Sequence, residues 1–454
     1  MKKLFTVILV LTMFFSSYAQ DSLNITALYN WKDTITTVYN EVWGFVQNGR
    51  EYAVIGSWQG AHFFDVTDPQ NVVKVDYVPG TVTACDPVPC IHRDYHDYNG
   101  YLYMVTDEDT ASTMQIVDLS SLPDSVTLVY ESNTLFSKSH NIFIDSSSAR
   151  LYSCGGDQVN NGLRVFSLAD PINPVEIANL TTPGGYVHDV YVRNDTAYLH
   201  SGGNGFNVYD YTDLGNPILL GSLPSVGGVD PAYSHAGWLN AEGNTFVLCY
   251  ETANIDVNIV DVSDLANMLV VDTVNSGGDT NSIPHNVIIR GDYAYVSYYH
   301  DGLYIYNISN PSATTLAGFY DTKAQPGPGG GAWGVYPLLP SGIVLISDMT
   351  TGFWVLDVTA AIPVNVPLLK AYNGHLQIYP NPFTDEINIS LTVETGVAES
   401  YVLFDISGRE ISSGKFNKTF EPTISTEAIE AGSYLLKVNT LEGSTSIIVT
   451  KIGR

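Results

Sequence analysis

Four histidines hold the same place in a recurring pattern: His140, His188, His235 and His285 each open an alternating apolar run. The residue that follows is Asn141, Asp189, Ala236 or Asn286, and Arg93-Asp94 fills the corresponding place in another copy. Imidazoles converging with carboxylates favour zinc, copper or iron, whereas carboxylates and carbonyls alone favour calcium. His140, His188, His235 and His285 are therefore candidate metal ligands. Arg93, Asp94, Asp189, Glu251 and His300 are candidates to orient them or to line a ligand face. The competing reading is that each histidine hydrogen-bonds a neighbouring turn and locks one repeat to the next. His92 and His96 flank Asp94, and only part of that set is expected to share a strand face. Asp107-Glu108-Asp109 is either a calcium-type donor set or a solvated turn. No Gly-x-Ser-x-Gly elbow, phosphate loop, dinucleotide fingerprint or His-Glu-x-x-His occurs, so no catalytic role is assigned to any residue.

The elements that carry these residues follow from the repeat. The run from His188 to Leu199 returns from His285 to Val296, with looser copies at His140-Asn141, His235-Ala236, Arg93-Asp94, Trp43-Gly44 and Trp333-Gly334. The seven anchors are spaced by 50, 47, 48, 47, 50 and 48 residues. Each copy continues with period-two apolar runs, the third closing on an acidic or polar turn, as in Phe63-Phe64-Asp65-Val66-Thr67-Asp68. Four strands per repeat, with no helical stripe, predict an all-β fold: a seven-bladed β-propeller. The seventh copy has three clear strands, and Thr26–Trp31 is expected to supply its fourth and leave no free edge. First strands of blades line a propeller channel, so the four histidines converge at one mouth, with Trp43, Arg93 and Trp333 completing the ring.

These blades resemble the LVIVD-repeat proteins, a secreted propeller group also labelled the choice-of-anchor B family. The resemblance is carried by the third-strand runs and by Arg93-Asp94, Ser139-His140-Asn141, Val187-His188-Asp189, Pro284-His285-Asn286 and Gly331-Ala332-Trp333-Gly334. A tryptophan usually precedes Arg-Asp in that group, and His92 stands there instead. The resemblance implies the fold and export, and no particular reaction.

Export also has its own sequence signs. Lys2-Lys3, an apolar run from Leu4 to Phe15, and Ser17 and Ala19 before Gln20 read as a signal peptide over residues 1–19, cleaved between Ala19 and Gln20. No later stretch reaches the length of a transmembrane helix. Cys85 and Cys90 bracket a proline-stiffened loop that an oxidising compartment could close as a disulfide, unless so tight a ring is geometrically forbidden. Cys154 and Cys249 sit in apolar runs and read as buried thiols.

After a propeller spanning 20–372, the register changes over 373–454. Tyr379-Pro380-Asn381-Pro382, Asp405-Ile406-Ser407-Gly408-Arg409 and Gly432-Ser433-Tyr434-Leu435-Leu436-Lys437-Val438 occur in that order on sandwich-like strands. This small Ig-like β-sandwich resembles the C-terminal sorting domain of the type IX secretion system. The resemblance implies the secretion machinery as partner, and then removal of the module or its exchange for a surface lipopolysaccharide anchor.

Among 454 residues, 47 are acidic and 19 basic, a net charge of −28. From 373 onward there are 10 acidic and 6 basic residues and the leader holds 2 lysines, which leaves 37 acidic and 11 basic residues in the propeller. Such an anion repels nucleic acid and attracts cations. The functional expectation is a secreted or cell-surface protein that binds an extracellular ligand through its channel-mouth loops. Its alternatives are a metal-dependent oxidoreductase or hydrolase built on the histidine ring, and a structural or adhesive surface protein. A transition metal or calcium is the only cofactor suggested.

Overall fold

A computed structural model describes residues 21–34, 38–81, 92–107, 114–156, 162–181, 185–224, 232–278, 282–323, 330–362, 376–391, 398–405, 410–419, 422–427, 429–440 and 443–452. The leader with its Ala19–Gln20 junction and the Cys85–Cys90 loop lie outside the described residues.

Alternating sequences become strands because each side chain pair straddles a sheet buried on both faces. The first blade runs Tyr39–Gln47, Arg50–Ser57, Gly60–Asp65 and Val73–Pro79, a four-stranded antiparallel meander. Five further meanders follow, and a seventh sheet is completed from the other end of the unit: Thr26–Trp31 pairs antiparallel with Gly352–Asp357. Ser22–Leu23 adds a short fifth strand to the sixth blade against Thr315–Tyr320. The seven innermost strands are Tyr39–Gln47, Arg93–Tyr98, Asn141–Asp145, Asp189–Arg193, Ser234–Leu239, Pro284–Arg290 and Ala332–Tyr336, and each touches the next around a closed ring. This is the seven-bladed propeller expected from the repeat.

Packing between successive sheets fills the space around the axis. Tyr52, Val54 and Phe63 of the first blade meet Tyr95, Leu102 and Met104 of the second, all buried. Similar clusters join the remaining blades. The recurring acidic exit of the third strand has a local cause. Asp65, Asp210, Asp261 and Asp357 each accept the backbone N–H of the residue two positions on, at 2.8–3.0 Å, forming the Asx turn that starts the return to the outer strand.

The chain divides into two compact units between Ile362 and Pro363. That division differs from the expected boundary only over residues 363–372, which lie outside the described residues. The second unit has two antiparallel sheets. Leu376–Tyr379, Glu386–Leu391 and Thr423–Ser425 form one; Glu410–Thr419, Ala398–Asp405, Gly432–Thr440 and Gly443–Lys451 form the other. Phe383, Ile387, Leu403, Leu436 and Val449 are buried in its core, as in a small sandwich.

Candidate ligand site at the propeller axis

Register defines which residues are equivalent. Tyr39 pairs with Ser57 as Ser234 does with Tyr250, Pro284 with Tyr298 and Ala332 with Asp348. The anchor of the first blade is therefore Asn40, and Trp43 lies three residues further along the strand. This corrects the ring membership expected from the Trp-Gly pair at 43–44. Arg93 holds the anchor position of its blade but leaves the ring. Its buried guanidinium donates to the carbonyls of Ser57 at 2.8 Å and Trp58 at 3.2 Å, tying the second blade to the first. The vacated position is filled by His92.

The result is a closed circle of six aromatic rings. Centroids are separated by 4.0 Å from His92 to His140, 4.4 Å to His188, 4.3 Å to His235, 4.3 Å to His285 and 4.5 Å to Trp333, with 5.5 Å back to His92. Five of the six, the four histidines and Trp333, were legible as anchors. His92 was not assigned to the site, although an aromatic residue usual before Arg-Asp was the signal that could have found it.

Blade locking uses one nitrogen of three of these rings. Nδ1 of His188 meets the carbonyl of His235 at 3.3 Å, that of His235 the carbonyl of His285 at 2.9 Å, and that of His285 the carbonyl of Trp333 at 2.8 Å. Each imidazole is a strap to the next blade. Donation from Nδ1–H fixes the tautomer and leaves the lone pair on Nε2, across the ring from the backbone contact. Burial holds His92, His188 and His235 well below the usual imidazole range, with neighbouring imidazoles adding to the effect. Burial takes His285 down to about 4 against the opposing pull of Glu251. These rings are neutral at physiological pH, the state in which imidazole ligates metal.

One residue past each anchor, which is two past His92, the side chains again face the axis. Glu41, Asp94, Asn141, Asp189 and Asn286 form a polar tier, with Ala236 and Gly334 leaving room for the longer groups. Beyond them Trp43, His96, Phe143, Tyr191, Trp238, Ile288 and Tyr336 form a mostly aromatic tier, in which Trp43 and His96 pack tilted at 4.5 Å and Tyr191 meets Trp238 edge-on at 4.8 Å. Both tiers line a cavity of about 70 Å³, room for a few waters. His92, Asp94 and His96 thus occupy three successive depths on one strand face. The expectation that only part of this set shares a face was mistaken, because residues two apart point the same way. Ile142 N–H donates to Asp94 at 2.7 Å, Val190 N–H to Asp189 at 2.7 Å, and Asn286 Nδ2 to Glu41 at 2.7 Å. Burial lifts Asp94 and Asp189 to about 7 and Glu41 well above the usual carboxylate range; the charge of Asp189 adds to Asp94, and that of Asp94 to Glu41. Asp94 and Asp189 therefore sit beneath the ring, and Glu41, which the sequence reading did not single out, sits with them.

Part-exposed groups surround the ring on its loop side. Asp107 meets His140 Nδ1 at 2.6 Å, Tyr299 Oη donates to Glu251 at 2.6 Å, and the other Glu251 oxygen is 3.7 Å from His235 Nε2. Tyr299 stacks on His285 at 4.6 Å, and His300 follows it in the same turn. Two donor groups come together among the described residues: His92, Asp107 and His140, and His188, His235 and Glu251, each with one ligand atom per residue within 4.8 Å of the others. His285 and His300 belong to neither group. Asp107 joins the site, while Glu108 and Asp109 lie outside the described residues. Cys154 and Cys249 are buried free thiols.

Comparison with known families agrees with both units. Residues 278–322, the sixth blade with its preceding loop, match the LVIVD repeat, and residues 377–451 match the secretion system C-terminal sorting domain. A search of curated proteins returns no match. Among the described residues no helix is long and apolar enough to cross a membrane. The ring of blades, the matched repeat and the matched sorting module together make this chain an LVIVD-repeat protein with a type IX secretion C-terminal sorting domain, secreted or held at the cell surface.

Proposed function

We propose that the propeller is an extracellular binding protein whose ligand enters from the loop side of the imidazole ring. The observation that supports this is the ring itself: five imidazoles and an indole converge from six blades, beside part-exposed Asp107, Glu251, Tyr186, Tyr233 and Tyr299. Blade locking accounts for Nδ1 of three histidines and leaves their Nε2 atoms for another use. Tyrosine and tryptophan faces suit sugars and organic cations, and an anionic propeller attracts cations and disfavours anions. The ligand class is therefore uncharged or cationic. Export by the type IX route delivers this face outside the cell, and exchange of the sorting module for lipopolysaccharide would hold it there.

The test is thermal-shift titration of the mature chain with choline and with a neutral glucan oligosaccharide, repeated on Tyr299→Ala and, as a remote control, on Val175→Ser of an outer strand. Saturable stabilisation by one probe, lost in Tyr299→Ala and kept in Val175→Ser, is the expected result. Failure of both probes, or binding that survives Tyr299→Ala undiminished, counts against the reading. Retention of a Tyr379-truncated chain inside the outer membrane, with release of the full chain, checks the delivery step.

A further inference from the structure

We infer that His92, Asp107 and His140 form a binding site for one divalent transition-metal ion of the zinc, iron and cobalt class. The inference rests on the loop side of the ring being the ligand face, and it names the ion held there. His92 leads into the innermost strand of the second blade, Asp107 directly follows Tyr101–Thr106 of the same blade, and His140 leads into the third blade. The scaffold thus brings two imidazoles and a carboxylate from three chain segments to one point, with donor atoms within 4.8 Å of one another.

Unsatisfied atoms mark this group out from the other. His92 is 6% exposed and its Nδ1 has no hydrogen-bond partner, and neither has the buried Oδ1 of Asp107. Leaving such atoms orphaned costs free energy that a bound cation would recover. In the second group the corresponding groups are engaged. Glu251 accepts from Tyr299, and no atom of His188, His235 or Glu251 is a buried side-chain N or O without a partner, although the Nδ1 straps occupy only one nitrogen of each ring.

Chemistry selects the ion. Two imidazoles with one carboxylate match the two-histidine, one-carboxylate sets of zinc and non-haem iron, and leave coordination positions open on the ring's solvent side. Calcium, which prefers six or more oxygens, is poorly served by this set. Bonds of about 2.0–2.2 Å require the donors to draw in by roughly an ångström. His92 precedes its strand and Asp107 follows one, so neither is fixed in a ladder, while the stacked His92 and His140 rings and the His140–Asp107 hydrogen bond rearrange to admit the ion.

The experiment is titration of the mature full-length chain, freed of metal by chelation, with cobalt(II) followed by visible absorption and with zinc by competition. Expected is about one equivalent bound with an intense low-symmetry d–d band. Asp107→Asn and His92→Ala each weaken binding at least 100-fold, and Glu251→Gln leaves it unchanged. If His92→Ala fails to fold, Asp107→Asn, a change outside any strand, decides the matter with a far-ultraviolet spectrum as its folding control. No stoichiometric cobalt or zinc in the folded parent overturns the assignment, as does metal lost in Glu251→Gln and kept in Asp107→Asn. An unoccupied metal site beside intact choline or glucan binding removes the ion alone and leaves the binding function standing.

Discussion

Replacing Asp94 with asparagine is expected to reverse part of the pH dependence of propeller stability. In the folded protein Asp94 keeps its proton to about 7, chiefly because burial penalises the charge. In the unfolded chain an aspartate releases its proton near 3.8. Between these values the folded state binds more protons, so stability contributed by this group is complete below pH 4 and declines as pH rises through 7. Three units correspond to about 4 kcal/mol at most, and coupling to Asp189 makes the single-site effect smaller. Asparagine can still accept the Ile142 N–H and carries no titrating proton. The variant should therefore gain on the parent by about 2–4 kcal/mol between pH 4.5 and 8. The lowered histidines act in the opposite sense, losing stability as pH falls below 6.5, but they are shared by both proteins and cancel in the difference. Urea unfolding followed by tryptophan fluorescence isolates the propeller, because all six tryptophans lie at or before residue 354. A variant-minus-parent difference that stays flat within about 0.5 kcal/mol across this range would refute the buried-carboxylate reasoning.

Three further outcomes test the scaffold. A mature chain starting at Asp33 lacks the strand that closes the seventh blade and uncovers Phe353; its thermal midpoint should fall steeply, by more than about 3 kcal/mol of stability, and an unchanged midpoint would deny the closure. His285→Phe keeps the stacking on His235 and Trp333 but removes one strap, and because Ser297 also donates to the Trp333 carbonyl the loss should be about 1 kcal/mol by urea unfolding. Gly331→Ala places a methyl group on the Tyr299 carbonyl at a φ of +145°, so soluble yield and native circular dichroism should collapse, whereas Gly49→Ala in an open turn should be mild.

The blades were legible because a repeat advertises itself: His188 and His285 begin twelve-residue runs alike in apolar pattern, and register then carries over to His140 and His235. The ring was less so where a blade departs from the pattern. In the first blade the ladder shifts between Tyr39 and Val42 as it does in the fifth, sixth and seventh, but the anchor is Asn40 instead of an aromatic residue, so an alignment centred on Trp43-Gly44 passes over Asn40 and Glu41. In the second, Arg93 turns toward the first blade and its neighbour His92 takes the axial place, a swap decided by two backbone carbonyls far off in sequence. Whether a histidine strapped or ligated looked like a choice from sequence. The straps occupy Nδ1 of His188, His235 and His285, so at these positions a strap and a ligand on Nε2 are compatible.

The closing strand has a consequence for the order in which the chain matures. Thr26–Trp31 is synthesised ahead of every blade, yet its partner Gly352–Asp357 comes more than 300 residues later. For an exported chain threaded from its beginning, the earliest segment across must wait as an unpaired strand until the last blade follows. The circle can close only where both strands are present together. Long-range pairing of this kind is slow, so closure of the ring is the last step in building the propeller.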